Sequence, residues 1–177
     1  MNVYAAPSTS LLLANIVSFQ AAWFACVLGA ARGYTWFGPA LVLVIAAAWL
    51  VAAPRPRALA AVLALTGIVG LCWDSWLSVL GFIGYAPGPI PAPFAPLWIL
   101  ALWVLLGTTL HVSLRWLRGR WWQAALLGAA TGPLAYLGGA RLGALQLLRP
   151  AAALCAEAIG LAVLLPLLVA LARRCNA

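Results

Sequence analysis

Asp74, Arg141 and Glu157 are the residues through which this chain would do chemistry. Asp74 and Glu157 are its only acidic residues, and each, like Arg141, is embedded in a long apolar stretch. A charge held in hydrocarbon costs several kcal/mol, so such residues turn inward, take partners and mark functional positions. The expected arrangement is an Asp74–Arg141 pair. Glu157 is then either a third member or a separately protonated carboxylic acid. In the functional reading Asp74 and Glu157 are catalytic groups that hold or move protons, while Arg141 binds an anionic headgroup or carboxylate. In the structural reading the pair only joins helices. Asn15, Gln20, Trp76 and Tyr136 are the polar and aromatic residues expected to contact substrate beside that layer.

His111 is the only histidine. With Arg115 and Arg118 just after it, it is expected to meet a phosphate headgroup of the inner leaflet; the plainer reading is an interfacial histidine above arginines that set topology. Cys26, Cys72, Cys155 and Cys175 show no CxxC spacing, so neither a metal nor another cofactor is expected. The lone histidine lies on the far side of the expected membrane from both acids, so a Ser-His-Asp arrangement is excluded. No Walker-type phosphate loop occurs, which excludes ATP-driven transport by this chain alone.

The elements that must position these residues follow from composition. The 177 residues are 67% hydrophobic and 7% charged, with mean hydropathy +1.09. A soluble domain carries about 25% charged residues. Disorder and nucleic-acid binding are excluded on the same grounds. The net charge of +8 comes from ten arginines and no lysine; because they sit between apolar runs, they read as membrane-orientation signals and contacts to anionic headgroups. The fold expected is all-α: a single transmembrane domain, 1–177, forming a polytopic bundle of six transmembrane helices.

A crossing helix needs about 20 apolar residues. The expected spans are 11–31, 36–53, 58–85, 97–114, 121–148 and 150–172. Pro54 and Pro56 close the second, since the residue before proline leaves the helical region. With both termini cytoplasmic, Arg55, Arg57, Arg115, Arg118, Arg120, Arg173 and Arg174 are inside and only Arg32 and Arg149 outside, so the positive-inside rule selects N-in/C-in. Trp121 and Trp122 then mark the inner boundary, and Trp36, Tyr85 and Trp98 the outer one. Met1–Ser10 lacks a basic n-region, so span 1 is expected to be retained as a helix. The run from Tyr85 to Pro96 is proline-rich and is expected to be extended, as a stiff connector or a lid.

In this topology Asp74 lies about 24 Å above the start of span 3, Arg141 about 30 Å above the start of span 5, and Glu157 about 10 Å below the start of span 6. All three fall in the outer half of a core about 30 Å thick. Small residues recur beside them every three or four positions: Gly67, Gly70, Ser78 and Gly81 with Asp74, and Gly128, Thr131, Ala135 and Gly138 with Arg141. Such stripes let helices approach closely.

Several segments together resemble a family of small bacterial inner-membrane proteins classed as a domain of unknown function. They are Asn15-Ile-Val-Ser-Phe-Gln20 with Trp23 and Cys26-Val-Leu-Gly29, Asp74-Ser-Trp76, Pro96-Leu-Trp98 with Leu102-Trp103 and Thr109-Leu110, and Gly132-Pro-Leu-Ala-Tyr136 with Gly139-Ala-Arg-Leu-Gly143. Members of that family resemble neighbours of fatty-acid-modifying enzymes such as cyclopropane-synthase-like methyltransferases. The resemblance therefore implies lipid metabolism or envelope stress. The function expected is binding or modifying a lipid or fatty-acyl substrate in an outer-half polar pocket of the bacterial inner membrane. Membrane lipids are the expected partners, with a membrane-protein partner or a second copy as further candidates. The alternatives are a non-catalytic partner subunit and a small proton-coupled transporter.

Overall fold

A computed structural model of the protein describes residues 7–85, 90 and 93–175. Within these residues the chain forms six α-helices and one two-stranded sheet. Helix α1 is Thr9–Ala31, with Ser8 Oγ accepting the Leu11 N–H at 3.3 Å, a side-chain cap on an otherwise orphaned donor. Helix α2 is Phe37–Ala52 and α3 is Pro56–Val79; a proline suits the first turn, where its missing N–H is not needed. Helix α4 is Leu97–Thr109. A 3-10 turn at Arg115–Leu117 leads to α5, Trp121–Arg141, and α6 is Pro150–Cys175. Strands β1 (Ile83–Tyr85) and β2 (Leu145–Leu147) pair antiparallel, with Tyr85 opposite Leu145.

Helices α1, α3 and α6 are long and apolar enough to cross a membrane, and α2 and α4 are shorter apolar helices. The radial polarity is the inverse of that of a water-soluble protein. Leu43, Val44, Leu126, Leu134 and Ile159 face outward, while Asn15, Thr66, Asp74, Thr108 and Glu157 are buried. Apolar solvent selects this pattern, because a polar group left facing it finds no partner. The helical, membrane-associated class expected from composition agrees with the structure.

Three helices end on the same device. After α1, α3 and α5 come Gly33, Gly81 and Gly143, with φ of +81°, +67° and +85°. Beyond α3, the Gly81 N–H donates to Ser78 O and the Phe82 N–H to Leu77 O, both at 3.0 Å. Beyond α5, Gly143 donates to Ala140 O at 3.1 Å and Ala144 to Gly139 O at 2.9 Å. These are Schellman closures, which satisfy the last carbonyls and turn the chain at a left-handed residue. Helices α3 and α5 therefore end at Val79 and Arg141, short of the ends of the apolar runs at Tyr85 and Leu148. Each run finishes as a strand, and the two strands pair across the end of the bundle. Helix α4 likewise stops at Thr109, before Leu114.

Half of the proline-rich loop, 86–89 and 91–92, lies outside the described residues, so its expected extended form is not described. Its end is held where the Ala95 N–H donates to Ser75 Oγ at 2.9 Å.

Candidate functional site

Asp74 is one turn from the end of α3 and fully buried. Its carboxyl group accepts from three other elements. Oδ1 accepts the Tyr85 hydroxyl of β1 at 2.5 Å and the Tyr136 hydroxyl of α5. Oδ2 accepts the Trp103 indole N–H of α4 at 2.6 Å. Each donor has a local reason to be there. The β1–β2 pairing sets Tyr85 over the end of α3, and its ring packs edge-on against Trp98 with centroids 6.0 Å apart. Trp103 lies against Gly70, where any Cβ would overlap the indole ring.

Glu157 is also fully buried, one helix away on α6. Its Oε1 accepts the Trp73 indole N–H at 3.4 Å, and Oε2 has no hydrogen-bond partner among the described residues. Gly160 does for Trp73 what Gly70 does for Trp103, since a Cβ there would meet the indole. Tyr136 stands within electrostatic reach of both carboxyl groups. The two acids are therefore unlike. Asp74 accepts from three donors, whereas Glu157 keeps an oxygen without a donor among the described residues.

The expected Asp74–Arg141 pair does not form. Arg141 is the last residue of α5 and is exposed, where a long basic side chain keeps its head in polar surroundings. Three neutral donors take its place on Asp74, which avoids burying a guanidinium. The structure brings Asp74, Glu157 and Tyr136 together and leaves Arg141 apart. Asn15 lies toward the opposite end of the bundle, where its Oδ1 accepts from Ser113 Oγ at 2.7 Å and ties α1 to the segment after α4. Trp76 is exposed and packs on Trp73, with ring centroids 5.4 Å apart. His111, Arg115 and Arg118 lie in the turn after α4, away from the acids. Trp73 and Trp103, like Trp76 and Trp98, are tryptophans of the expected outer half that could line an apolar pocket around the charged layer, but neither they nor Tyr85 are expected as donors to the acids; Trp103 and Trp73 each face a glycine on a neighbouring helix.

Beside the acidic centre a mainly apolar cleft of about 390 Å³ runs between α1, α4 and α5. Phe19, Gln20, Trp23, Trp98, Trp103 and Tyr136 are among its lining residues. Trp103 and Tyr136 thus belong to both the cleft wall and the Asp74 network, and Asp74 stands behind that wall. Trp98 adds an unmet donor, since its indole N–H is buried without an acceptor among the described residues. Among the described residues no group of three or more His, Cys, Asp or Glu side chains gathers to hold a metal.

These features define a membrane-associated helical protein with a buried acidic centre behind an apolar cleft. The chain belongs to the family described as Protein of unknown function (DUF2878), whose model matches residues 12–167. This agrees with the resemblance drawn from the sequence. No curated protein and no solved structure matches the chain.

Proposed function

We propose that the protein is a six-span inner-membrane protein, with both termini cytoplasmic, that binds a lipid or fatty-acyl chain in the cleft between α1, α4 and α5. The observation that carries this reading is the double use of Tyr136 and Trp103, which line the cleft and donate to Asp74. An acyl chain fits the apolar lining. Its ester or carboxyl oxygen would accept the Trp98 N–H, which has no acceptor among the described residues; an unmet buried donor costs about 1–3 kcal/mol, recovered when an acceptor arrives. Any proton exchanged with the bound lipid passes through the Tyr136 hydroxyl to Asp74. Glu157, with its free oxygen, is the second proton-holding group. The remaining arginines keep the roles expected of a positive-inside protein.

The test is photocrosslinking with a diazirine-bearing fatty acid in membranes containing the protein, read by peptide mapping. Label is expected on the α1, α4 and α5 segments that face the cleft. Ala135 lines the cleft, and Ala135→Trp, which fills it, is expected to cut labelling about tenfold, the equivalent of about 1.4 kcal/mol. Label spread evenly over the outward faces of α2 and α6 would overturn the reading. Tyr136→Phe is expected to leave labelling in place and to remove the lipid change that the wild-type protein restores to a strain lacking it, because only the proton-bearing hydroxyl is lost. Reporter fusions at the chain ends and in the 3–4 loop test the topology.

A further inference from the structure

A second cavity, of about 360 Å³, lies at the other end of the bundle, between the 3-10 turn, the start of α5 and the end of α6. Its lining includes Gly119, Arg120, Trp121, Arg173 and Arg174. Three arginines thus line one concavity. Arg173 reaches toward the loop, with a Cβ built on Gly119 falling 3.8 Å from its Nη1. The Arg120 guanidinium lies 5.9 Å over the Trp116 ring, a contact that leaves its edge N–H groups available.

The first turn of α5 opens on the same cavity. The Ala124 N–H is the first to donate within the helix, to Arg120 O at 3.0 Å, and no side chain caps the N-terminus. Free N–H groups and the positive end of the helix dipole favour an anion. Both acidic side chains of the chain are remote, Glu157 being about 24 Å from Arg173 along α6. Arg118, beside the cavity, is lowered from its ordinary value by burial and then by the charges of Arg115 and Arg173. Positive charge is concentrated here with no carboxylate side chain beside it.

We propose that this cavity is a phosphate-binding site, closed around one phosphate group by Arg120, Arg173, Arg174 and the first turn of α5. Guanidinium forks match phosphate oxygens in pairs, and Trp121 at the rim suits the boundary between headgroup and hydrocarbon. The source of the phosphate is an anionic phospholipid headgroup or a free phosphate ester. The site is independent of the acyl cleft and stands whether or not that cleft binds lipid.

The test uses the purified full chain in detergent, stripped of lipid and mixed with phosphatidylglycerol or phosphatidylcholine, with retained lipid counted by native mass spectrometry. Phosphatidylglycerol is expected to be retained in preference. Arg173→Gln/Arg174→Gln, at two exposed positions, is expected to weaken retention about tenfold or more. Ala170→Trp, which fills the cavity at constant charge, is expected to do the same. Arg55→Gln/Arg57→Gln removes equal charge elsewhere and is expected to leave retention unchanged. Equal loss in both arginine double variants, or equal retention of the two lipids, would overturn the proposal in favour of diffuse attraction. Inorganic phosphate that displaces the lipid at millimolar concentration assigns a free phosphate as the ligand; failure to displace it assigns the headgroup.

Discussion

Asp74→Leu is expected to yield protein that does not survive extraction as a folded monodisperse species. The carboxyl group is the common acceptor of Tyr85, Tyr136 and Trp103. Leucine leaves all three donors buried and unmet, each at about 1–3 kcal/mol. The sum is a large share of the roughly 5–15 kcal/mol that holds a typical domain together. Asp74→Asn is the informative partner variant. Turned so that its oxygen accepts from Trp103, its amide N–H can donate to the tyrosine hydroxyls, which accept as readily as they donate. The Asn variant is therefore expected to melt within a few degrees of wild type while losing any function that needs a proton at this position. Intrinsic tryptophan fluorescence during heating, beside lipid profiles of complemented cells, reads both. A leucine variant that melts like wild type would show that the network does not hold the helices together.

The second large effect is expected at Gly70. Alanine there puts a methyl group into the Trp103 ring. The ring has to swing away, losing its bond to Asp74 and moving one wall of the cleft. Overpacking of this kind costs about 1–3 kcal/mol before any orphaned polar group is counted. Gly67→Ala, one turn earlier, meets only the ends of Val104 and Leu100 side chains at 3.1 and 3.2 Å and is expected to cost less. A double-mutant cycle with Trp103→Ala, which removes the ring atoms that the Gly70 methyl would meet, checks the cause, because residues in contact show non-additive effects. If Gly70→Ala is as damaging with alanine at 103 as with tryptophan, the ring contact is not the reason.

Much of this was legible beforehand, and the rest was hidden for identifiable reasons. Apolar run length showed the helices, and the scarcity of charge showed that Asp74 and Glu157 had to be buried. The spacing of Gly67, Gly70 and Asp74 showed which face of α3 turns inward. What failed was the choice of partner. Opposite charges in one layer suggested Asp74 with Arg141, but the pairing rested on α5 continuing to Leu148. Gly143 ends that helix in a left-handed turn and leaves Arg141 at its last residue. The signal was present, since Gly81 and Gly143 are each the stop that a helix C-terminus favours. It was masked because the residues beyond them, Phe82-Ile83 and Ala144-Leu145, are as apolar as those before. The outer-half tryptophans were legible as pocket-lining candidates, but which indoles donate to the acids was not. Among ten tryptophans, only the three-dimensional seating of Trp103 on Gly70 and Trp73 on Gly160 singles out two.

The pairing of β1 with β2 also has a bearing on time. A chain is made from its N-terminus, and the groups that complete the Asp74 cluster appear in the order Tyr85, Trp103, Tyr136. Tyr85 is not clamped until Leu145–Leu147, some sixty residues later, has been synthesised and has crossed the bundle to meet it. During that interval the nascent protein holds an acid in an unfinished helical assembly, with its final donors missing or unanchored. The pairing that anchors Tyr85 therefore forms only late in synthesis. A ribosome stalled before β2 leaves a segment that retains every long apolar helix but the last, yet cannot seal its own polar interior.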